Sequence, residues 1–375
     1  MSPAPLILID TGIIGGPGRG IVQLGRFLES KSIRYLICNF KYPRPKSREF
    51  EEELQRQGLR AATVSQRFVF DSAPILQFYR LAREGRYNIL QSHGYKSHVV
   101  ALVVSRITGL PWLAFTHGWT REDRKVAIYH ALDKWMLRIA DSVIAVSPPL
   151  FNLFREVRGE RRQTHLIFNA ADTSTLPGKY GGEAVRRRLL APGREVLVGC
   201  FGRLSFEKGV DILLRSISLI RRGFPQVSFL ILGDGPEREA LGSLATELGL
   251  GDSVTFEPHA LAMRDYYEAI DLLVLPSRSE GLPNVVLEAL SFGVRVVGTD
   301  VGAVREVITD RQNGWVAPSG DPRALARVMD TALSWMMTQG REPVAKRELL
   351  GATFTPEYRS LRIMGVYKNL LEGRT

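Results

Sequence analysis

The sequence contains little cysteine and no long apolar run. Its two cysteines, Cys38 and Cys200, lie far apart among 375 residues, which favours reduced thiols in a cytoplasmic protein over a disulfide framework. The longest apolar stretches, at residues 6–9 and 99–104, are far below the roughly 18–20 residues of a membrane-spanning helix. No basic leader precedes the first stretch, so a secretory signal is not expected. These absences predict a globular cytoplasmic protein.

Positive charge is plentiful and unevenly distributed. The 50 lysines and arginines exceed the 39 aspartates and glutamates by 11. Residues 1–190 contain 29 basic and 16 acidic residues, a net charge of +13, whereas residues 191–375 contain 21 and 23, a net charge of −2. A basic excess suggests a polyanionic partner. We therefore expect the two halves to bind different partners.

Both halves alternate short apolar strands with amphipathic helices. This pattern predicts an α/β fold of two Rossmann-like domains, whose parallel sheets are covered on both faces. We place an N-terminal domain at residues 1–175 and a C-terminal domain at 190–350, with a linker rich in Gly, Pro and charge at 172–194. Residues 355–375 form a final helix that can cross back to the first domain. Predicted strands are 6–10, 33–40, 87–93, 111–117, 141–147, 165–169, 195–202, 227–234, 253–258, 271–277 and 294–300. Predicted helices are 21–30, 74–84, 97–108, 124–140, 209–222, 236–248, 263–270, 284–292 and 302–308.

The strongest candidate site follows the predicted strand at 271–277. Open parallel sheets bind ligands at the carboxyl ends of their strands, so two facing sheets would place a ligand in the cleft between domains. Here Glu280 and Glu288 lie eight positions apart, and Pro283 is placed to start a helix. Free N–H groups at that helix start suit a phosphate, and the two carboxylates suit hydroxyls of a ribose (Glu288) and a sugar (Glu280). The glutamate spacing alone is more typical of a capped surface helix, but the full local string favours a ligand site. The N–H groups belong to Leu282, Asn284 and Val285.

A second candidate site follows the predicted strand at 195–202. Arg203 and Lys208 lie five positions apart, just before a helix predicted to begin near Val210. Two fixed cations beside a helix N-terminus would hold a pyrophosphate and stabilise the charge that grows on it as it leaves. An isolated Arg and Lys are more often solvated surface residues, but the position directly after a strand favours a function.

Taken together, residues 199–320 resemble the C-terminal domain of the retaining family-4 glycosyltransferases (glycosyl transferases group 1) of GT-B fold. The matching strings are GRLSFEKGVDILL, LILGDGPEREAL and SEGLPNVVLEALSFGVRVVGTDVGAVREVI, followed by NGWVAP. A weaker resemblance extends upstream through ADSVIAVSPPL and HLIFNAADTSTL, where Asn-Ala-Ala-Asp replaces the common Asn-Gly-Val-Asp. The resemblance implies that Arg203 and Lys208 bind the donor diphosphate, Glu288 the ribose and Glu280 the transferred sugar.

Other site residues are implied more weakly by the same resemblance. The loop Gly15–Gly20 would face the donor phosphates and acceptor, although a tight turn would use the same glycines. His117 would lie near the donor sugar and act with Glu280, Lys208 and Arg203, although a buried, satisfied histidine is equally compatible. His93 and His98 would shape the acceptor wall. The implied donor-binding residues are Gly16, Arg203, Lys208, Gly233, Pro258, His259, Gly281, Leu282, Pro283, Asn284, Val285 and Glu288.

No metal or organic cofactor is expected beyond a UDP- or GDP-linked sugar substrate. No two aspartates are separated by one residue, so the Asp-x-Asp metal site of the other main glycosyltransferase fold is missing. No His, Cys and carboxylate cluster has zinc spacing. We therefore expect metal-independent transfer. The family resemblance implies retention at the anomeric carbon, with the leaving phosphate taking the acceptor's proton on the front face.

Two other functions remain open on the sequence. A GT-B nucleotide-sugar epimerase would share both domains and the diphosphate site. A nucleic-acid-binding protein would explain the charge, but no helix-turn-helix, zinc or aromatic-basic signature accompanies it, and no nucleic acid is expected. The basic excess instead suggests a peripheral protein on the inner membrane face whose acceptor is a lipid-linked or envelope glycan. Its basic runs are Arg121/Arg124/Lys125, Arg155/Arg158/Arg161/Arg162 and Arg186–Arg188.

Overall fold

The computed structural model divides the chain into two compact units. It describes residues 1–43, 47–68, 71–118, 124–158, 163–172, 176, 178, 181–260, 262–340 and 351–373, with the backbone alone at 124–128. The first unit consists of Met1–Ala170 and Thr355–Thr375, and the second of Ala171–Phe354. Each unit has its own parallel sheet and its own hydrophobic core.

The first unit is a seven-stranded parallel sheet of order β3-β2-β1-β4-β5-β6-β7. The strands are β1 (Pro5–Ile9), β2 (Leu36–Lys41), β3 (Ala61–Ser65), β4 (Ile89–His93), β5 (Trp112–Thr116), β6 (Ser142–Ala145) and β7 (Gln163–Leu166). The helices are α1 (Gly16–Ser30), α2 (Glu49–Arg56), α3 (Ala73–Glu84), α4 (Tyr95–Thr108), α5 (Arg124–Ile139), α6 (Pro148–Arg158) and, from the end of the chain, α14 (Pro356–Glu372).

Strand β1 shows why both faces of this sheet are covered. Every residue of the strand is buried, and successive side chains point to opposite faces, so Leu6 and Leu8 join one core while Ile7 and Ile9 join the other. The second of these cores also contains side chains from α1 and α14. Thr355 caps α14 by accepting from the N–H of Tyr358 at 3.3 Å. The last helix is therefore an integral part of the first unit.

The second unit is a six-stranded parallel sheet of order β10-β9-β8-β11-β12-β13, in which the order reverses between β8 and β11. This is the doubly wound order of a Rossmann-like fold, and ligands bind it where the order reverses. The strands are β8 (Val196–Phe201), β9 (Val227–Leu232), β10 (Val254–Glu257), β11 (Leu272–Leu275), β12 (Arg295–Thr299) and β13 (Gly314–Ala317). The helices are α7 (Gly182–Leu189), α8 (Val210–Ile220), α9 (Arg238–Glu247), α10 (Met263–Ala269), α11 (Asn284–Ser291), α12 (Val304–Val307) and α13 (Pro322–Gln339).

The predicted linker at 172–194 is wrong in its second half, which forms α7. Arg186 donates to the Ala269 carbonyl and to Asp271 Oδ2, both at 2.8 Å, and the Gly181 N–H donates to Asp265 at 3.0 Å. The helix is polar because charged contacts with α10 and the following strand hold it, rather than an apolar stripe. Its low hydrophobicity is what made it look like a linker.

Several elements went unpredicted, and one of them carried a local signal. Helix α13 starts after Asp321, whose carboxylate accepts from the N–H groups of Arg323 (2.8 Å) and Ala324 (3.2 Å), with Pro322 in the first turn. An Asp-Pro start followed by an apolar stripe is readable from sequence. Of the others, β3, β13 and α2 have eight residues or fewer, and short elements give weak periodicity. Helix α6 has 11 residues, as many as the predicted α8, so its length does not explain why it was missed.

Candidate functional site

The centre of the candidate site is an ion pair at the strand ends of the second unit. Lys208 Nζ lies 2.6 Å from Glu280 Oε1, and the Ser277 hydroxyl donates to the same oxygen at 2.8 Å. Lys208 precedes α8, whereas Ser277 and Glu280 follow β11, the strand beside β8 where the sheet order reverses. Glu280 is only 10% exposed at its side chain. Two residues that the sequence separates by 72 positions thus meet at the expected strand edge.

Arg203 joins Lys208 at the same edge. Both line one small depression together with Gly202 and Ser277, and the Arg203 side chain is exposed. The turn before α8 depends on Gly209, which has φ +63° and whose Cβ would lie 2.2 Å from the Pro276 carbonyl oxygen. This close approach of the turn to the end of β11 brings the two cations beside Ser277.

Gly233 has a packing reason for being glycine. It has φ +148°, and a Cβ would lie 1.9 Å from the Gly202 carbonyl oxygen, so the ends of β8 and β9 are pressed together. The exposed residues Pro258 and His259 follow β10 next to this turn, and the His259 N–H donates to Asp234 Oδ2 at 2.8 Å. Gly233 and His259 therefore form a second group along the same sheet edge.

The loop before α11 is anchored by backbone contacts. The Gly281 carbonyl accepts from the Ala303 N–H at 2.8 Å, and Leu282 is buried. Pro283 is the N-cap rather than the first helical residue, because its extended backbone (ψ 119°) precedes a helix that begins at Asn284. The N–H groups of the first turn, including those of Asn284 and Val285, are the donors that a helix start leaves without helical partners. Asn284 Oδ1 is buried with no hydrogen-bond partner in the described chain.

Glu288 lies inside α11 and is buried, with 3% of the residue exposed. The Tyr267 hydroxyl of α10 donates to its Oε2 at 2.7 Å, and Tyr267 stacks on Phe292 with ring centroids 5.5 Å apart. A buried carboxylate needs such a partner, and the hydrogen bond also fixes its orientation. Sequence reasoning placed Glu288 at the site but did not identify Tyr267 as its support.

The glycine-rich loop and His117 lie in the first unit. Gly16 is the first residue of α1, whose first turn contains no acidic residue. His117 directly follows β5, and its Nε2 lies 3.1 Å from His93 Nδ1. Burial, followed by the charge of Arg359, lowers the pKa of His117 to about 3. The ring is therefore neutral at physiological pH and available as a hydrogen-bond donor or acceptor.

His93 and His98 do not line a wall, contrary to the prediction. Both are buried, and His98 lies within the core of the first unit. Its Nδ1 lies 2.8 Å from the Ser92 hydroxyl, which accepts from Trp112 Nε1 at 2.6 Å, and Asp133 lies 3.6 Å from its Nε2. Alternation along β4 sends Ser92 and His93 to opposite faces, so the two histidines belong to different networks.

The basic runs proposed for a membrane surface are partly engaged inside the units. Arg158 is buried, and it donates to the carbonyls of Leu137 and Ala140. Arg186 binds Asp271, and Arg188 forms an ion pair with Glu257. These three arginines support the fold. The buried Arg158 is not available to headgroups as predicted, whereas the side chain of Arg188 is 54% exposed. Arg121, Arg161 and Arg162 and the side chains of Arg124 and Lys125 lie outside the described residues.

The sequence analysis missed a polar cluster in the first unit. Lys96 Nζ lies 3.0 Å from Asp10 Oδ2 and 2.7 Å from the Tyr42 hydroxyl, which donates to Asp10 at 2.9 Å. These residues follow β1, β2 and β4, three neighbouring strands whose carboxyl ends meet at one edge. They line a cavity of about 860 Å³ with Asn39 and Glu51 among its other walls. The available signal was one polar residue shortly after each strand.

The cluster keeps Lys96 charged and Tyr42 protonated. Burial lowers the pKa of Lys96, but the Tyr42 hydrogen bond and the Asp10 charge outweigh burial, so the pKa is raised overall. Burial raises the pKa of Tyr42 to about 12, which keeps its hydroxyl protonated. The cavity therefore presents a carboxylate, an ammonium group and a phenol, a set that suits the hydroxyl groups of a polyol.

Comparisons with known proteins agree with this arrangement. The profile "Glycosyl transferases group 1" matches residues 195–334, and "Glycosyltransferase Family 4" matches residues 14–175. The lipopolysaccharide core biosynthesis mannosyltransferase LpsB of Rhizobium meliloti (strain 1021) is 29% identical over 248 residues, 64% of this chain and 68% of that protein. A D-inositol 3-phosphate glycosyltransferase of Streptomyces avermitilis is 27% identical over 304 residues, 74% of this chain and 65% of that protein. The match thus spans about two thirds of each relative's length.

A solved structure supports the fold. The crystal structure of Anabaena HepE in complex with UDP-glucose is similar with a TM-score of 0.83 and 21% identity, covering 98% of this chain and 99% of that chain. Two Rossmann-like units with charged residues at their strand ends define an α/β protein of the GT-B class. The chain belongs to the group 1 glycosyltransferases, glycosyltransferase family 4. No helix in the described part of the chain has the length and apolar character needed to cross a membrane.

Proposed function

We propose that this glycosyltransferase moves a sugar from a nucleotide diphosphate donor, UDP- or GDP-linked, to an acceptor hydroxyl with retention at the anomeric carbon. The observation that carries the proposal is the pairing of Lys208 with Glu280 beside Arg203, at the edge where the sheet order reverses. The relatives add support, because one is named a mannosyltransferase and HepE is bound to UDP-glucose.

The geometry suggests a role for each charge. The ammonium group of Lys208 has three donors, so it can hold Glu280 and a phosphoryl oxygen together. With Arg203, it would stabilise the negative charge that develops on the leaving diphosphate, without requiring a metal ion. Ser277 and Lys208 both bind Oε1 of Glu280, which leaves Oε2 for a sugar hydroxyl. Glu280 would thus orient the sugar, while the departing phosphate takes the acceptor's proton on the front face.

A donor panel tests this function. Labelled UDP- and GDP-sugars are incubated with the protein, and thermal shift, nucleotide release and the configuration of the product are measured. One donor is expected to raise Tm and to release its nucleotide slowly by hydrolysis, faster with a glycan acceptor, with the anomeric configuration retained. Formation of an epimer without acceptor would establish the epimerase instead, and an inverted product would contradict retention.

We further propose that the cavity with Asp10, Tyr42 and Lys96 holds the acceptor, a lipid-linked or envelope glycan. Its carboxylate and ammonium group can bind neighbouring sugar hydroxyls. Lys96→Met is expected to raise the KM for the acceptor by about tenfold, the cost of one charged hydrogen bond, while donor hydrolysis stays unchanged. Initial rates with and without acceptor measure this.

Arg106→Met is the matched control for Lys96→Met. Arg106 is an exposed basic residue in the last turn of α4, whereas Lys96 is in the first turn of the same helix. The control is expected to leave both rates unchanged. If folded Lys96→Met protein has an unaltered KM for the acceptor, the acceptor does not bind in this cavity.

We also propose that the first unit associates with an anionic membrane surface through the neighbouring helices α5 and α6. Large apolar residues are exposed there, Leu132 and Trp135 on α5 and Leu153 on α6, beside the basic Arg155. Tryptophan and basic residues together are typical of membrane interfaces. The protein is expected to sediment with anionic liposomes at low salt, and Trp135→Glu is expected to reduce the bound fraction. Equal binding to neutral liposomes would refute the electrostatic part.

A further inference from the structure

Four polar side chains form one hydrogen-bonded chain across the first unit, ending at His117. The Tyr367 hydroxyl of α14 contacts Gln91 Oε1 on β4. Gln91 Nε2 lies 2.7 Å from His93 Nε2, and His93 Nδ1 lies 3.1 Å from His117 Nε2. Gln91, His93 and Tyr367 are buried, so water does not replace any of these partners. The last helix is therefore linked to a residue at the end of β5.

The protonation states of the two histidines restrict the direction of the hydrogen bonds between Gln91 and His117. Burial lowers the pKa of His93 well below its usual value, as it does for His117, and both rings are neutral near pH 7. A neutral imidazole carries a proton on one nitrogen and a lone pair on the other. A donor that binds the first ring therefore fixes the tautomer of that ring and of the next ring bonded to it. The Gln91 amide nitrogen can only donate. His93 Nε2 therefore accepts, and its Nδ1 carries the proton.

The tautomer of His117 follows in the same way. Its Nε2 accepts from His93 Nδ1–H, so the proton of His117 is on Nδ1. Within the described chain, His117 Nδ1 has no hydrogen-bond partner. We propose that Tyr367, Gln91 and His93 are positioning residues that hold His117 in the Nδ1–H tautomer, which then donates to an oxygen of the bound ligand. The identity of that ligand as a nucleotide sugar rests on the proposed function, but the tautomer does not.

The tautomer is measured directly by ¹⁵N NMR of protein labelled at histidine. A protonated ring nitrogen and a bare one have well-separated shifts, and His117→Gln identifies the signals among the six histidines. Wild-type protein is expected to show His117 with Nδ1 protonated and Nε2 bare. The reverse pattern would overturn the proposal, because the Gln91 amide would then face the opposite way. This result needs neither donor nor catalytic activity.

Two substitutions test the coupling. Gln91→Glu replaces the donor with a carboxylate, which accepts from His93 Nε2, so both His93 and His117 are expected to exchange their protonated and bare nitrogens. Gln91→Leu removes the donor and is expected to give a mixture of His117 tautomers. An unchanged His117 spectrum in both folded variants would show that Gln91 does not set the tautomer.

Ser92→Ala is the matched control, because Ser92 is the next residue of β4 and binds His98 rather than His93. It is expected to alter the His98 signals and to leave those of His117 in place. With a donor identified, Gln91→Leu is expected to lower kcat about five- to tenfold, the value of one hydrogen bond, and Ser92→Ala to leave kcat unaffected. If Gln91→Leu lowers kcat but His117 keeps a single tautomer, Gln91 does not act through the tautomer of His117.

Discussion

Lys208→Ala is expected to lower kcat by about 100-fold or more, the usual loss when one charge-stabilising donor is removed from a transition state. The effect is large because the lysine has two roles in the proposed mechanism: it would stabilise the developing charge of the diphosphate, and it pairs with Glu280, which is left without its ammonium partner. The measurement is donor hydrolysis and transfer, with circular dichroism to confirm the fold. Arg222→Ala, at an exposed basic residue of the same unit, is the control. A kcat within about twofold of wild type would end the assignment of Lys208.

Glu288 belongs to the same prediction but needs a gentler substitution. Because the side chain is buried and bonded to Tyr267, Glu288→Ala would also remove the carboxylate that accepts from the buried Tyr267 hydroxyl. Both Glu288→Ala and Glu288→Gln are expected to lower turnover by well over about tenfold, since the proposed ribose contact would be lost. Tyr267→Phe, which keeps the carboxylate but frees its orientation, is expected to fall between wild type and Glu288→Gln. Full activity in all three would exclude a ribose contact.

Stability is expected to fall steeply as the pH is lowered from 7 towards 4. Burial is the first cause of a lowered pKa in four histidines, and the pKa falls to about 3 for His117 and about 4 for His165. The four are His93, His98, His117 and His165. Each stays neutral in the folded protein but protonates near pH 6.5 when unfolded, so the unfolded state binds more protons. Each can lower the free energy of unfolding by up to about 1.4 kcal/mol per pH unit between 6.5 and its folded pKa.

Urea unfolding at pH 7.5, 6.5, 5.5 and 5.0 measures this effect above the range in which most carboxylates titrate. The unfolding midpoint is expected to be constant above pH 7 and to decrease below 6.5. His165→Gln is expected to reduce the slope, while His259→Gln, at an exposed side chain, leaves it unchanged. A midpoint that does not move between pH 7.5 and 5.0 would show that these histidines are not held neutral by burial.

The strands around the site were readable from sequence because each is a short apolar run that ends at a polar or glycine-containing turn. Strands β8 and β11 are examples, and the residues after them, Lys208 and Glu280, were assigned from local strings. Helix α7 was misread because its charges, rather than apolar periodicity, hold it against α10. Strand β7 was placed two residues late, since Gln163 looks like a loop residue at the edge of a sheet.

The sequence alone determined the two-part α/β organisation, the family resemblance and the imbalance of charge, all of which depend on patterns within a few residues or on counts. Tertiary structure decided which distant residues meet: Lys208 with Glu280, Asp10 with Lys96, and Gln91 with Tyr367, 276 positions away. The physical reason is that these pairs depend on strand order and on where the last helix packs, and no local pattern records either. The scarcity of cysteine likewise became meaningful in the fold. Cys38 and Cys200 are free thiols buried in different units, where they act as small core residues.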